Sequence, residues 1–223
     1  MEIPKRPKRR FFPEDLSIDS WESIEPLFEN LKNREILSLQ DLENWMLDRS
    51  ELEAVLEEDM AWRYIKMNID TNDNHLKNNF HFWIQEISPN MAPYSQQLNL
   101  KIVESPFLNE LDNKKYKIYL RTIKKSIEIY REENIPLFTR MEEKQQEYGA
   151  ICAKMSIEFK GKHLTMQEAN QLLKNTNRDE RKEAYSKVSK RRMEDAEKLD
   201  KLYDDLIEIR QNIAKNAGFK NYR

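Results

Sequence analysis

The C-terminal part of the chain carries one long apolar stripe with the spacing of an α-helix. Asn177 with Glu180 can cap its start, and Gly218 is placed to end it. The pattern predicts a long C-terminal helix over about 178–217, which is about 40 residues and about 60 Å. A small chain cannot cover such a helix alone, so we expect another body to pack on it. The stripe consists of Tyr185, Val188, Ala196, Leu199, Leu202, Leu206, Ile209, Ile213 and Ala217.

The composition also favours helices. The 223 residues include only 3 glycines and 8 prolines; 35% are charged and 39% hydrophobic, with a mean hydropathy of -0.91. Long helices with wide solvated faces explain a polar chain that has so little turn material. Aromatic residues make up 10% of the chain, which argues against disorder. We therefore predict a mainly α fold.

The first part of the chain shows helix signals after an aperiodic start. Residues 1–19 have no regular apolar spacing, and we expect an extended arm there. A short helix is predicted over Trp21–Leu31, with Pro26 as its weak point because proline belongs in a first turn. A stronger helix follows Ser38, whose side chain can cap it with Asp41 at the N3 position.

Three further helices are predicted before the apolar period changes. One runs from about Asn72 to Ile87 and is expected to stop at Pro89 and Pro93. The next starts at Asp112, where apolar side chains again recur every three or four residues. Pro136 then restarts the chain in a new helix.

A small β-hairpin is predicted over about 151–164, after a helix that Gly149 ends. From Ile151 to Phe159 every odd position is apolar or alanine, which is the two-residue period of a strand with one buried face. Lys160 and Gly161 are typical of a tight turn, after which a second strand would return.

These signals divide the chain into three predicted parts. The arm covers 1–19, a helical N-terminal lobe covers 20–148, and the hairpin with the last helices covers 149–223. Thr165 and Glu168 form a capping box at the start of a short helix inside the third part.

Charge and hydropathy argue against nucleic-acid and membrane partners. Lys and Arg total 38 and Asp and Glu total 40, which gives a net charge of -2. The basic run Lys5–Arg10 could be a nuclear signal or a phosphate contact, but a solvated terminus is the simpler interpretation. No signal-peptide core and no stretch of about 18 apolar residues is present. With a single cysteine, Cys152, this predicts a cytoplasmic protein.

The sequence offers no constellation of catalytic or ligand-binding residues. His75 and His81 are six positions apart, which is not the i, i+4 spacing of a zinc-binding pair, and no His-Glu-x-x-His motif is present. His163 stands alone, and Cys152 has no base beside it in sequence. Isolated glycines cannot build a phosphate loop. We predict no catalytic, cofactor-binding or metal-ligating residue here.

The four tryptophans lie in or beside helical patterns. The favoured interpretation is that they pack in a core or a domain interface. The alternative is that they form a wall that contacts bound peptide. They are Trp21, Trp45, Trp62 and Trp83.

Several segments resemble the oligoendopeptidase F family of zinc metallopeptidases, which is similar to thimet oligopeptidase. The most specific are the hairpin region, the Arg-x-x-Arg pair of Arg178 and Arg181, and the ending from Arg210 to Tyr222. The resemblance covers nearly all of the chain from about Phe11. The matching segments are Trp45–Leu52, Phe82–Pro89, Gly149–Thr165, Gln167–Leu173, Asn177–Arg181, Ala184–Tyr185 and Arg210–Tyr222.

The resemblance implies two helical lobes around a channel that admits only oligopeptides. In this family a zinc ion is held by two histidines of His-Glu-x-x-His and a later glutamate, in the C-terminal portion. The sequence stops at Arg223, before that portion begins, so no family catalytic residue has a position here. We expect this lobe to be inactive alone, to shape one wall of the channel, and to have oligopeptides and the absent catalytic lobe as partners.

Two other functions remain open at this point. An independent helical interaction module could bind a partner through the apolar side of 178–217, since a long exposed apolar stripe is unstable on a monomer. Nucleic-acid binding through Lys5–Arg10 would show a steep dependence on salt, but the overall charge disfavours it.

Overall fold

The computed structural model describes residues 8–71 and 73–223. In this range the chain is mainly helical with one antiparallel hairpin, so the predicted fold class is confirmed. Short 3-10 turns lie at Leu108–Glu110 and Glu132–Asn134, and a π-helical turn lies at Trp83–Ile87. The elements are α1 Trp21–Asn33, α2 Leu39–Ile69, α3 Asn74–Phe82, α4 Ser88–Val103, α5 Asn113–Ile129, α6 Ile135–Ala153, β1 Ser156–Phe159, β2 Lys162–Thr165, α7 Met166–Leu172, α8 Arg178–Glu194 and α9 Ala196–Asn216.

The described residues form two compact units. The first contains the described residues up to Thr139 together with Asn216–Gly218. The second contains Arg140–Lys215 and Phe219–Arg223. The predicted boundary between lobe and hairpin region, at 148/149, falls inside α6.

The core of the first unit is built mainly from one face each of α1, α2 and α4. Trp45 is fully buried there, and its indole Nε1 donates a 2.7 Å hydrogen bond to the carbonyl of Leu31. The rings of Trp21, Phe28 and Tyr94 pack at centroid separations of 5.3 to 5.5 Å. Burial of such large side chains is the main stabilising term of this unit.

The described part of the N-terminal arm is held on α2 by one carboxylate. Glu51 accepts hydrogen bonds of 2.7 to 2.8 Å from the backbone N–H groups of Arg10, Phe11 and Phe12. Phe12 is buried in the core, and Arg10 forms a 2.6 Å ion pair with Asp48. The first seven residues of the predicted arm lie outside the described residues.

The helix predicted to stop at Pro89 and Pro93 continues instead. After α3 the chain makes the π-helical turn Trp83–Ile87 and enters α4, with Pro89 in its first turn and Pro93 inside it. The widened turn comes directly before the position where the helix must accommodate proline, which lacks a backbone donor. The predicted start, Asn72, lies outside the described residues. Pro26 likewise lies inside α1 and not in its first turn.

The hairpin of the second unit is shorter at its start than predicted. Ile151 and Cys152 belong to α6, which also runs through Gly149, so the glycine does not end the helix. Ile151 and Met155 are both buried. A spacing of four residues places two side chains on the same face of a helix as well as of a strand, so the pattern alone did not distinguish the two. β1 and β2 pair across a turn whose two central residues, 160 and 161, have positive φ.

The predicted long helix is two helices, α8 and α9, separated at Asp195. The carboxylate of Asp195 accepts a 2.6 Å hydrogen bond from the guanidinium of Arg191. The backbone carbonyl of Asp195 accepts a hydrogen bond from the N–H of Leu199. Aspartate is unfavourable inside a helix and common at helix starts, because its side chain offers nearby backbone groups an alternative to the helical hydrogen bonds. Gly218, at φ 84°, ends α9, and the N–H of Phe219 returns to the carbonyl of Ala214.

The predicted helix caps are confirmed. The Ser38 hydroxyl accepts from the N–H of Asp41, and Thr165 with Glu168 forms a complete capping box. Asn177 accepts from the N–H of Glu180 at the start of α8. Among the helices that the structure describes, none is long and apolar enough to cross a membrane.

Candidate functional site

The three histidines are not brought together. His75 and His81 both lie on the short helix α3, where the Nε2 of His75 is 3.2 Å from the amide nitrogen of Asn79. His163 is exposed on β2 in the second unit. Within residues 8–71 and 73–223, no group of three or more His, Cys, Asp or Glu side chains is placed to hold a metal ion. The described residues therefore do not fit a zinc centre.

Cys152 lies half-buried on α6, one helical turn after Tyr148. A hydrogen bond with the Cys152 thiol is the largest cause that raises the pKa of Tyr148. A tyrosine held in its neutral form is a poor general base, so this pair does not make an activated nucleophile.

The two described arginines of the basic run, Arg9 and Arg10, have partners within the chain. Arg9 donates to the carbonyl of Pro13 at 3.0 Å and stacks on the ring of Phe12. Arg10 is paired with Asp48. Lys5, Arg6 and Pro7 lie outside the described residues. The two described arginines stabilise the arm and are not arranged as a phosphate-binding patch.

A first cleft of about 490 Å³ lies between the end of α1 and α4. Its two lysines are already committed: Lys101 donates to the carbonyls of Leu31, Lys32 and Arg34 at 2.5 to 3.0 Å, and Lys32 pairs with Glu29 at 2.9 Å. Burial, with the nearby Arg34 charge, lowers the pKa of Lys101. Lys101 therefore caps the free carbonyl groups at the C-terminal end of α1. Because both lysines already have partners, this cleft is not an anion site.

A second cleft of about 360 Å³ is lined by α2, α3 and Asp19. Its central cation, Arg63, is also engaged: it pairs with Asp59 at 2.5 Å and donates to the carbonyl of Ile18 at 2.7 Å. The wall that remains open is Trp62, which is 54% exposed.

The tryptophans divide into two classes. Trp21, Trp45 and Trp83 are buried, as the packing interpretation predicts, whereas Trp62 is not. With Ile65 and Ile69, Trp62 makes an exposed apolar row at i, i+3 and i+7 along the end of α2. This row was not predicted from the sequence, although its helical spacing, on the face of α2 opposite the core stripe, is a signal that could have revealed it.

The second unit exposes apolar side chains along α8 and α9. Tyr185 and Met193 on α8 are 63% and 70% exposed, and Tyr203 and Ile207 on α9 are 60% and 42% exposed. The opposite face of α9 is buried through Leu206, Ile209 and Ile213. Tyr203 and Ile207 are one helical turn apart, so they form a continuous apolar patch. Patches of this kind mark surfaces that contact another molecule or domain.

The hairpin adds a sheet edge to the second unit. Its buried face, with Ile157 and Phe159, packs with Ala169 of α7 and with Ala184 and Val188 of α8. β2 exposes Lys162 and His163. This edge and the exposed apolar side chains of α8 and α9, called the α8–α9 surface below, are two features of the second unit that can meet a ligand or partner.

The profile of the Peptidase M3 N-terminal domain family matches residues 14–130, more than half of the chain. The chain belongs to this family. A comparison with curated proteins gives no match.

Solved structures with the same fold agree with this assignment. A structure assigned to oligoendopeptidase F from Bacillus anthracis str. Ames has a TM-score of 0.82 at 23% identity over 94% of this chain. PZ peptidase A, solved with an inhibitor, gives 0.84 at 24% identity over 96%, and a second oligoendopeptidase F structure gives 0.85 at 22% identity over 96%. The chain spans only 39%, 38% and 38% of these three chains. The resemblance to the N-terminal portion of the oligoendopeptidase F family is confirmed.

Proposed function

We propose that this chain is the N-terminal lobe of an oligoendopeptidase F-like zinc metallopeptidase that hydrolyses short peptides. The observation that carries the proposal is the family match over residues 14–130. The fold shared with oligoendopeptidase F and PZ peptidase A supports it. In this proposal the activity belongs to a two-lobed protein.

The lobe would contribute shape and recognition, not chemistry. The described residues do not fit a zinc centre, so the zinc ligands and the general base would come from the catalytic lobe. When bound there, the zinc ion would raise the acidity of the attacking water. The helices of this chain would form one wall of a channel that limits the size of the substrate.

The catalytic lobe is the partner that we propose for the α8–α9 surface. The supporting observation is the exposure of Tyr203 and Ile207 on α9 and of Tyr185 and Met193 on α8. Covering these side chains would remove a large apolar area from water, and each such side chain contributes roughly 1.5–3 kcal/mol when fully buried.

The test compares the chain alone with the chain joined to a catalytic portion. We would sequence the source reading frame beyond Arg223 and express the longer product if it encodes His-Glu-x-x-His. We expect hydrolysis of a quenched peptide that a chelator abolishes, and no hydrolysis by residues 1–223 alone. Chelator-sensitive turnover by pure 1–223, or no turnover by the joined protein, would overturn the proposal.

A pair of surface variants tests the role of the α8–α9 surface. With the two portions supplied as separate chains, Tyr203→Ser with Ile207→Ser should reduce activity by at least about tenfold, since losing two buried apolar contacts exceeds 1.4 kcal/mol. Ile118→Ser is the matched control, because Ile118 is 59% exposed on α5 in the first unit. Circular dichroism should show that all variants fold. Equal losses in both variants would refute this partner surface.

An independent interaction module is the second candidate, and the same exposed row on α9 is what favours it. This function predicts a well-folded 223-residue chain that dimerises or captures a partner through Tyr203 and Ile207. Light scattering after size exclusion, on the wild type and the Tyr203→Ser, Ile207→Ser variant, tests it. A stop codon directly after Arg223 would favour this function over the first.

A further inference from the structure

The two outer edges of the hairpin are not equivalent. β1 and β2 pair with Phe159 opposite Lys162 and Glu158 opposite His163, across a two-residue turn. In such a hairpin the pair next to the turn exchanges both backbone hydrogen bonds, and the next pair points its N–H and C=O away from the partner strand. Glu158 therefore presents its backbone groups to the edge of β1, and His163 presents its groups to the edge of β2.

The edge of β1 is closed by α8. The Nζ of Lys187 donates a 3.0 Å hydrogen bond to the backbone carbonyl of Glu158. The same ammonium lies 5.4 Å from the ring centroid of Phe159 and pairs with Glu183 at 2.9 Å. An added strand cannot pair along this edge without displacing Lys187.

The edge of β2 is open at one residue. Further along, the N–H of Thr165 is occupied by the carboxylate of Glu168, at 2.8 Å, through the capping box. Among the residues that the structure describes, the outward N–H and C=O of His163 have no partner, and the side chain is exposed. One donor and one acceptor thus face solvent side by side, which is the arrangement that an extended peptide completes.

The side chains that flank His163 on β2 define which peptide side chains would fit beside this edge. Lys162 and Leu164 lie on the face of the hairpin that carries Phe159 and Ile157, because cross-strand partners share a face. Leu164 is half-buried and packs against the hairpin core. In the described part of the chain Lys162 has no carboxylate partner, whereas Lys160 is paired with Glu180 at 2.6 Å.

We propose that β2 binds an extended peptide by antiparallel strand addition, with His163 exchanging two backbone hydrogen bonds with one peptide residue. The peptide residue before that one, in the N-to-C direction, is apolar and lies beside Leu164; the residue after it is acidic and lies beside Lys162. The inference rests on the proposed function for the nature of the ligand, and it deepens that function by naming a subsite and its preference.

A short segment fits this edge better than a folded partner does. β2 has four residues, which span about 13 Å, whereas a stable complex of folded proteins buries about 800 Å² on each partner. A second copy of the chain would gain only the two hydrogen bonds of His163. A flexible peptide can supply the same two bonds without a large matching surface.

The first experiment uses the 223-residue chain and the probe acetyl-Thr-Val-Thr-Glu-Thr-amide at millimolar concentration. We expect amide chemical-shift changes centred on His163, and at least tenfold weaker binding of the same peptide with its central amide N-methylated. The reversed order Glu-Thr-Val should also bind at least threefold more weakly. No shift at His163, or equal binding of the N-methylated peptide, would overturn the proposal.

Variants of β2 provide the second experiment. His163→Pro removes the outward N–H and leaves the ladder bonds of the neighbouring pairs, so it should abolish binding. His163→Ala keeps that N–H and should bind within twofold of the wild type. Lys162→Glu should weaken the Glu peptide at least fivefold and favour a Lys peptide in its place. An unchanged charge preference would overturn the assigned register. These experiments measure peptide binding to the 223-residue chain without any hydrolysis, so failure of this inference is distinguishable from failure of the proposed function.

Discussion

Arg131 and Asn216 are 85 positions apart, and the Nε of Arg131 donates a 3.0 Å hydrogen bond to the backbone carbonyl of Asn216. The same guanidinium donates to the carbonyls of Glu128 and Tyr130, at 3.0 and 2.6 Å, and to that of Ala217 at 3.4 Å. The last carbonyls of a helix have no partner within it. One arginine therefore satisfies the C-terminal ends of both α5 and α9.

Replacing this arginine should destabilise the first unit. Arg131→Lys keeps the charge but loses the planar set of donors, and we expect a decrease of about 1–2 kcal/mol in the free energy of unfolding. Urea denaturation followed by circular dichroism measures it. Arg121→Lys on exposed α5 is the control and should change little. Equal midpoints for the two variants would show that the four contacts contribute nothing.

Gln146 is predicted to be a stabilising site for an apolar residue. Its side-chain nitrogen and oxygen are both shielded from solvent, and neither has a hydrogen-bond partner among the described residues. A shielded amide without partners costs free energy, so Gln146→Met should raise the free energy of unfolding by about 1 kcal/mol. Its exposed neighbour provides the control variant Gln145→Met, which should be neutral. A loss of stability in Gln146→Met would mean that the amide has a partner such as a buried water.

The carboxylate of Glu29 should titrate far below its ordinary range. Hydrogen bonds from Tyr94 and then from Lys32 lower the pKa of Glu29 from 4.5 to about 2. Because the folded-state pKa is the lower one, this stabilisation is present above about pH 4.5 and is lost as the pH falls toward 2. Tyr94→Phe should raise the pKa of Glu29 toward 4.5 in an NMR titration and reduce the acid sensitivity of unfolding. Tyr203→Phe, at an exposed position of α9, is the control and should leave the titration of Glu29 unchanged.

The helix starts were predictable because each rests on a local signal. Ser38, Thr165 and Asn177 carry caps that the structure confirms, since capping involves residues only two or three positions apart. The apolar period likewise identified the buried face of α9. Such patterns depend on neighbours in sequence and not on the rest of the fold.

The misplaced boundaries depend on contacts that local patterns do not encode. Pro89 lies in the first turn of α4, directly after the π-helical turn, and Pro93 lies inside the same helix. Asp195 interrupts a stripe that is otherwise continuous, with Arg191 bound to its side chain. The edge of β2 was also missed, because only the pairing register and the position of Lys187 show that β1 is covered and His163 is open.

The arm is predicted to depend on one carboxylate. Burial alone would raise the pKa of Glu51, but the backbone N–H groups of Phe12, Arg10 and Phe11 outweigh it and lower that pKa. Glu51→Gln keeps the size of the side chain and loses the charge that strengthens all three bonds. We expect amide hydrogen exchange at Phe11 and Phe12 to accelerate at least tenfold, which corresponds to about 1.4 kcal/mol of local stability. Glu57→Gln, on the exposed side of α2, is the matched control, and equal exchange in both variants would show that the buried ring of Phe12 holds the arm without Glu51.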